Sequence, residues 1–457
     1  MQRILGTGLL AVLVCTLVIC TGCPYLTFEA DDAGTTDSDT DIDTDTDTDS
    51  DADGDTSTPE MTTFSGIDLL IVMDNSGSME QEQKIMATSI YNLINMIADP
   101  INPWSFKIPS EVRAAVVSSD LGLQYGPNHS VEGFPYGHQI TTCTEAGTER
   151  GDDGRFQTKM PGTVAIASDQ IQCSGDGNQC PAGWSCQQEV CQSPSGLDEY
   201  VNCPYLENDA RWIETSLSNP NTSFATQVAC LTSLGTAGCG VEQQLESAVR
   251  ALSRNETQQG FLDDDHVLVV IYVSDEEDCS VAEKGLFETK EWASGTTYDP
   301  NDASKGLLNT ACNLPASNEG FLFETSRYRQ QLVQLKGGDP NAVVFVAIVG
   351  VPREEDAPDA PSCQGRADRL ADCLTHPYME LSIGLYATDK GTPYRHFKTA
   401  CDRLEGSQLV TNARPGRRYV KAAQSFGKNG YVYSICNGDW SPAMTDVATM
   451  VGEKIRD

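Results

Sequence analysis

Basic residues are scarce in this chain. Its 457 residues include 30 Lys and Arg against 66 Asp and Glu, a net charge of −36. A phosphate backbone would be repelled by that field, which argues against nucleic acid as a partner. Histidine is scarcer still. His129, His138, His266, His376 and His396 are scattered, and none sits beside a G-x-S-x-G or H-E-x-x-H signature. Nucleophilic catalysis needs a Ser or Cys with a paired base and an orienting group, so these absences argue against an enzyme. The acidic neighbours Glu276, Glu277 and Asp278 leave a paired-carboxylate hydrolase as one reading and a solvated loop as the other. Beyond residue 23 no two cysteines are spaced C-x-x-C, which, with so few histidines, argues against zinc. The apolar run Ile4 to Ile19 is too short and too near the terminus for a confident membrane span.

What the chain does have begins with that run. Arg3 followed by Ile4 to Ile19 reads as an export signal covering residues 1–22. Thr21-Gly22-Cys23 resembles a bacterial lipoprotein cleavage site. The resemblance implies that Cys23 becomes a lipid-bearing N-terminus anchored in the envelope, at the outer membrane or cell surface, since Pro24 rather than Asp follows. Cys20 stands where that family usually has Leu, and ordinary cleavage or an uncleaved anchor are the alternatives. Fourteen cysteines remain after Cys23, an even number that suits up to seven disulfides in an exported chain. Cys173, Cys180, Cys186 and Cys191 form a knot, for which 173–186 with 180–191 is one of three pairings. Cys230 with Cys239, Cys279 with Cys312 and Cys401 with Cys436 are further expectations.

Residues 23–62 read as a tether. From Asp31 to Glu60 there are twelve Asp, one Glu and no Lys or Arg, so the segment cannot bury enough surface to fold and extends by self-repulsion. Asp49, Asp51, Asp53, Gly54 and Glu60 match a D-x-D-x-D-G-x5-E calcium loop, but an Asp repeat generates that match easily and no helix pattern flanks it.

The globular part, residues 63–457, is organised around Ile67 to Met79, IDLLIVMDNSGSM. Its apolar run suits a strand buried on both faces of a parallel sheet. Met79 to Ile97 then carries apolar residues at helical spacing. Asp74, Ser76 and Ser78 therefore sit in a tight turn between strand and helix, where three oxygens can face one hollow. Hard oxygen donors suit a small hard cation. In such a turn, replacing Asp74 is expected to spare the fold.

The D-x-S-x-S pattern resembles the metal-ion-dependent adhesion site of von Willebrand factor type A domains. The resemblance implies that Ser76 and Ser78 bind Mg²⁺ (or Mn²⁺ or Ca²⁺) directly, and that a protein ligand's carboxylate fills the open position. His266 to Val273, a second strongly apolar run, ends at Ser274-Asp275. Asp275 matches the family's Asp that reaches the metal through water. The family's third contributor is a Thr before the next helix. Cys239 stands there, with Thr236 three residues earlier, and this departure puts cation affinity in doubt. The expectation is a surface-anchored adhesion protein. The rival is a structural envelope protein whose metal site has decayed.

Further along, Glu111–Ser118 and Tyr431–Ile435 read as strands, as does 342–349. Gly240–Leu252, Glu324–Leu335 and 417–426 read as helices, with an amphipathic helix closing the chain at Trp440–Ile455. Alternating strands and helices predict an α/β fold, a doubly wound, mostly parallel sheet flanked by helices. Two cysteine-rich insertions, about 121–234 and 353–404, lie outside the family resemblance, and the first is so polar that disulfides would have to hold it. Pro181 and Trp184, beside the knot, read either as an exposed contact surface or as its miniature core.

Overall fold

The computed structural model describes residues 63–98, 107–125, 129–130, 151–167, 170–173, 179–193, 200–206, 210–253, 258–283, 286, 321–387 and 393–455. The signal, Cys23, the acidic tether with its Asp49–Glu60 pattern, Cys143 and Cys312 lie outside the described residues.

A seven-stranded, mostly parallel sheet runs through the domain. Its strands are β1 (Gly66–Met73), β2 (Glu111–Ser118), β3 (Ile213–Ser216), β4 (His266–Ser274), β5 (Val343–Val349), β6 (Gly365–Arg366) and β7 (Gly430–Ser434). Their order is β6-β7-β5-β4-β1-β2-β3, and the two edge strands, β3 and β6, pair antiparallel with their neighbours. The six helices among the described residues are α1 (Glu80–Ala98), α2 (Phe224–Leu231), α3 (Gln244–Leu252), α4 (Ser326–Leu335), α5 (Arg417–Ser425) and α6 (Ser441–Gly452).

Alternation along the central strands divides the core in two, because successive side chains leave opposite faces of a strand. Leu69, Ile71 and Met73 of β1 join Val269, Ile271 and Val273 of β4 in one cluster, which Met86, Ile90 and Leu93 of α1, Val228 of α2 and Met444 and Val447 of α6 complete. Leu70, Val72, Val270 and Tyr272 face the other cluster, with Leu245 and Val249 of α3, Leu332 of α4 and Tyr419 and Val420 of α5. Both faces are covered, so β1, β4 and β5 are buried along their whole length.

One polar residue interrupts the β1 run. Asp68 is fully buried, and its carboxylate meets His266 Nδ1 at 2.8 Å, accepts the Asp263 N–H at 2.9 Å and lies 3.8 Å from Lys336 Nζ. That end of the strand is therefore pinned by charge rather than by apolar packing.

Both insertions contribute strands to the central sheet. The first supplies edge strand β3 and helix α2, whose Phe224, Val228 and Leu231 are buried against the α1 side. The second supplies edge strand β6. The physical reason is that β2 and β7 would otherwise present open edges, and short antiparallel strands cover them. The knot joins the same core. Cys173–Cys186 and Cys180–Cys191 pair as expected, Cys173, Cys180 and Cys191 are buried in the α1-side cluster, Pro181 is buried and Trp184 packs half-buried against it. The core reading of Trp184 holds. Asn92 and Asn95 of α1 donate to the carbonyls of Gln170 and Gln179, tying the knot to the helix.

Cys401–Cys436 forms as expected, and Cys363–Cys373 is a further bridge. Cys230 pairs with Cys203 rather than Cys239, fixing α2 to the chain that precedes β3. Cys239 and Cys279 are also disulfide-bonded, and the expected Cys279–Cys312 pairing falls partly outside the described residues. Several disulfides in one chain accord with an oxidising, exported setting. No helix among the described residues is long and apolar enough to cross a membrane. Replacing Cys401 and Cys436 together by Ser is expected to lower stability by about 2–4 kcal/mol. The midpoint of denaturant unfolding measures that loss.

Candidate functional site

The register of the sheet builds the site. β1 pairs with β4 from Gly66↔His266 to Met73↔Val273, and with β2 as far as Met73↔Ser118. The residues that follow Met73, Val273 and Ser118 therefore emerge side by side at one rim. Asp74 and Asp275, 201 positions apart in the chain, both stand at that rim.

Asp74 is the hub. It is fully buried. Its Oδ1 accepts the Ser76 N–H at 2.8 Å and the Ser119 hydroxyl at 3.3 Å. Its Oδ2 accepts the Ser274 hydroxyl at 2.6 Å and Gln244 Nε2 at 3.2 Å. Ser76 and Ser78 hydroxyls lie 3.5 Å apart. Ser76 is buried, whereas Gly77 and Ser78 are exposed, so the turn opens to solvent at Ser78. Asp74, Ser76 and Ser78 thus form one hydrogen-bonded run, and Asp275 follows Ser274, whose hydroxyl binds Asp74.

The electrostatics of this rim are unbalanced. Burial raises the Asp74 carboxyl above its usual range. Burial and then the neighbouring Asp74 raise Asp275 well above it. Burial lifts Glu276 to about 7, against the pull of Arg414, whose Nε lies 3.9 Å away. Glu82, on the first turn of α1, is buried and accepts the Thr411 hydroxyl at 2.6 Å, and burial raises it too. Among the described residues no Lys or Arg forms an ion pair with Asp74 or Asp275. Asp275 Oδ1 is buried without a hydrogen-bond partner. Buried carboxylates in such company are costly unless a cation joins them. The donor set of hydroxyls and carboxylates is that of a hard divalent ion. Among the described residues no three carboxylates bring one oxygen each within 4.8 Å of one another. At least one would then reach a shared ion through water, a mode Mg²⁺ readily adopts.

Three sulfurs do come that close, those of Cys173, Cys180 and Cys191. All three are oxidised in disulfides, and metal ligation needs thiolates. They hold the knot together and offer no metal site.

The third position departs from the sequence reading. Cys239 is in a disulfide, and its N–H donates to Asp120 Oδ2 at 3.1 Å. Burial lifts the Asp120 carboxyl to about 6. Thr236 is exposed. Helix α3 starts at Gln244 rather than Gly240, because the residues before it serve as loop anchors. Gly238 N–H donates to the Asn75 carbonyl at 2.8 Å, and Gln243 N–H to that of Ser119 at 3.1 Å. Glu242 lies in this anchored stretch, 2% exposed, with Oε2 lacking a partner. Burial first, then Asp74, Glu276 and Asp275, raise it well above the usual range. The sequence reading passed over Glu242 as a helical position. Its signal was an acidic residue among apolar and amide neighbours at the foot of a helix.

Glu277 and Asp278 are not a solvated loop. Both are buried, Glu277 accepting the Arg418 N–H at 2.9 Å and Asp278 bound to Arg418 Nε at 2.9 Å. Burial lifts Glu277 to about 8. Gly238 packs so closely that an added Cβ would lie 2.2 Å from Asn75 Oδ1. Gly238→Ala is expected to displace the Asn75 side chain and cost about 1–3 kcal/mol. Thermal unfolding read beside the wild type checks it.

Comparison of the chain with protein-family models and with curated proteins returns no match to either.

Proposed function

We propose that this chain is an exported, lipid-anchored binding protein built on a doubly wound domain of the von Willebrand factor A type. In this reading Asp74, Ser76, Ser78 and Asp275 hold Mg²⁺, Mn²⁺ or Ca²⁺ at the rim of the sheet. A protein ligand supplies a carboxylate to that ion. Cys23 carries the lipid, residues 23–62 hold the domain away from the membrane, and the protein is placed at the outer membrane or cell surface. It is not read as an enzyme. The observation that supports this most is the junction of two distant turns, the Ser274 hydroxyl of one donating to Asp74 of the other at 2.6 Å, with an orphaned, buried Asp275 oxygen in the same turn as Ser274. Bound there, the cation supplies the strong positive charge that so acidic a molecule otherwise lacks. This chain's residues place and orient the oxygens, while the hydrogen bonds from Ser274, Gln244 and Ser119 fix the Asp74 carboxylate.

A second reading, a structural envelope protein with a decayed metal site, draws on Cys239, which is committed to a disulfide where the family has a hydroxyl. Calorimetric titration of chelator-stripped protein with Mg²⁺ and Mn²⁺ separates the two. Saturable one-site binding supports the adhesive reading, and no heat of binding supports the decayed one.

A further inference from the structure

We propose that Glu242 is the third anionic ligand of the rim site, taking the place that a neutral hydroxyl would otherwise fill. The inference rests on the cation-binding reading above and concerns which atoms do the binding. Four observations carry it. Glu242 is 2% exposed, and its Oε2 has no hydrogen-bond partner. Its stretch is bound to the rim itself, Gln244 Nε2 donating to Asp74 Oδ2 at 3.2 Å and the Gln243 N–H to the Ser119 carbonyl at 3.1 Å, and the charges of Asp74, Glu276 and Asp275 act on it there. No Lys or Arg among the described residues pairs with it.

The fourth observation is that its backbone is fixed from both sides. The Glu242 carbonyl accepts the Cys279 N–H at 2.7 Å. The adjacent Gln243 side chain donates to the carbonyls of Gly122 and Gln124, each at 3.2 Å, and accepts the Val281 N–H at 3.0 Å. This stretch is stitched to the segments after β2 and after β4, the same two strands that flank β1 in the sheet. A carboxylate held that firmly, dry and unpaired, is destabilising unless an ion meets it.

The substitution changes the charge of the site. Asp74 and Asp275 alone would balance a divalent ion, and Glu242 adds one negative charge beyond that. Oxygen sites gain cation affinity with the number of charged ligands. The loss of the family's Thr is therefore compensated by a stronger donor arriving three residues later, and the ion is held more tightly than two carboxylates would hold it.

The test uses the chelator-stripped protein, its Glu242→Gln variant and its Glu242→Ala variant, each titrated with Mn²⁺ and with Ca²⁺ by calorimetry and melted in chelator. Both variants are expected to bind at least tenfold more weakly than wild type. In chelator they are expected to melt at the wild-type temperature or above it, because a repelled buried carboxylate has been removed. A residue of purely structural role would lower the melting temperature instead. A Gln variant that binds as tightly as wild type overturns the inference, as does one that melts lower in chelator. If the wild type takes up neither ion, the site reading itself fails. If the wild type binds and the variants match it, only the role of Glu242 fails.

Discussion

Replacing Asp74 by Ala is expected to abolish cation uptake and also to weaken the fold. Asp74 accepts four hydrogen bonds, from the Ser76 backbone, the hydroxyls of Ser119 and Ser274, and Gln244 Nε2. Alanine leaves those donors in a fully buried place. Each stranded donor costs about 1–3 kcal/mol. Relief of repulsion with Asp275 and Glu242 offsets part of that sum, so the net loss is placed at about 2–4 kcal/mol. The sequence alone suggests a turn residue whose replacement abolishes cation binding and leaves the fold intact. The structure corrects this, because the turn lies beneath Ser274 and α3 rather than at the surface. Asp74→Asn separates the two effects. It keeps the size and an acceptor oxygen, so it is expected to stay folded while cation affinity falls by about two orders of magnitude, as when a ligand's charge is lost. Calorimetry reads the affinity and circular dichroism the fold. Asp74→Asn with wild-type affinity would remove Asp74 from the site.

The second large effect is expected at the opposite end of the same strand. Asp68→Ala removes the carboxylate that meets His266, the Asp263 N–H and Lys336. Lys336 is nearly inaccessible, and burial lowers its ammonium below the usual lysine range, with Asp68 the main influence raising it again. Breaking a buried pair by deleting one partner costs about 3–5 kcal/mol, because the other group is left uncompensated. Chemical denaturation of Asp68→Ala should show that loss as a lower midpoint with unchanged slope. Cation binding at the far rim should persist in the folded fraction. A midpoint within experimental error of wild type would show that the pair is dispensable.

The central strands were legible because burial on both faces leaves a nearly continuous apolar run, as in Ile67–Met73 and His266–Val273. The Asp-Asn-Ser-Gly-Ser turn was legible because its residue types are costly in a strand or helix. Asp68 was hidden inside the first run, since its partners His266 and Lys336 are remote in sequence. Edge strands β3 and β6 were missed because strands of four and two residues carry too little periodicity to stand out. The Cys203–Cys230 pairing was missed because spacing along the chain says little about which cysteines a helix such as α2 brings together. Glu242 was passed over because a lone carboxylate at a helix foot is ordinarily solvated. Only the fold, by folding Cys239–Gln244 back onto Asp120, Ser119 and Cys279, makes it dry.

The account depends on one shared ion between the turn after β1 and the turn after β4. Crystals of the protein grown with Mn²⁺ and recorded at a wavelength where manganese scatters anomalously test this directly. The predicted result is a single strong anomalous peak within bonding distance, about 2.2 Å, of Ser76 and Ser78 oxygens and facing Asp74, Asp275 and Glu242. A map without a peak at that rim, with manganese found elsewhere or nowhere, would contradict it.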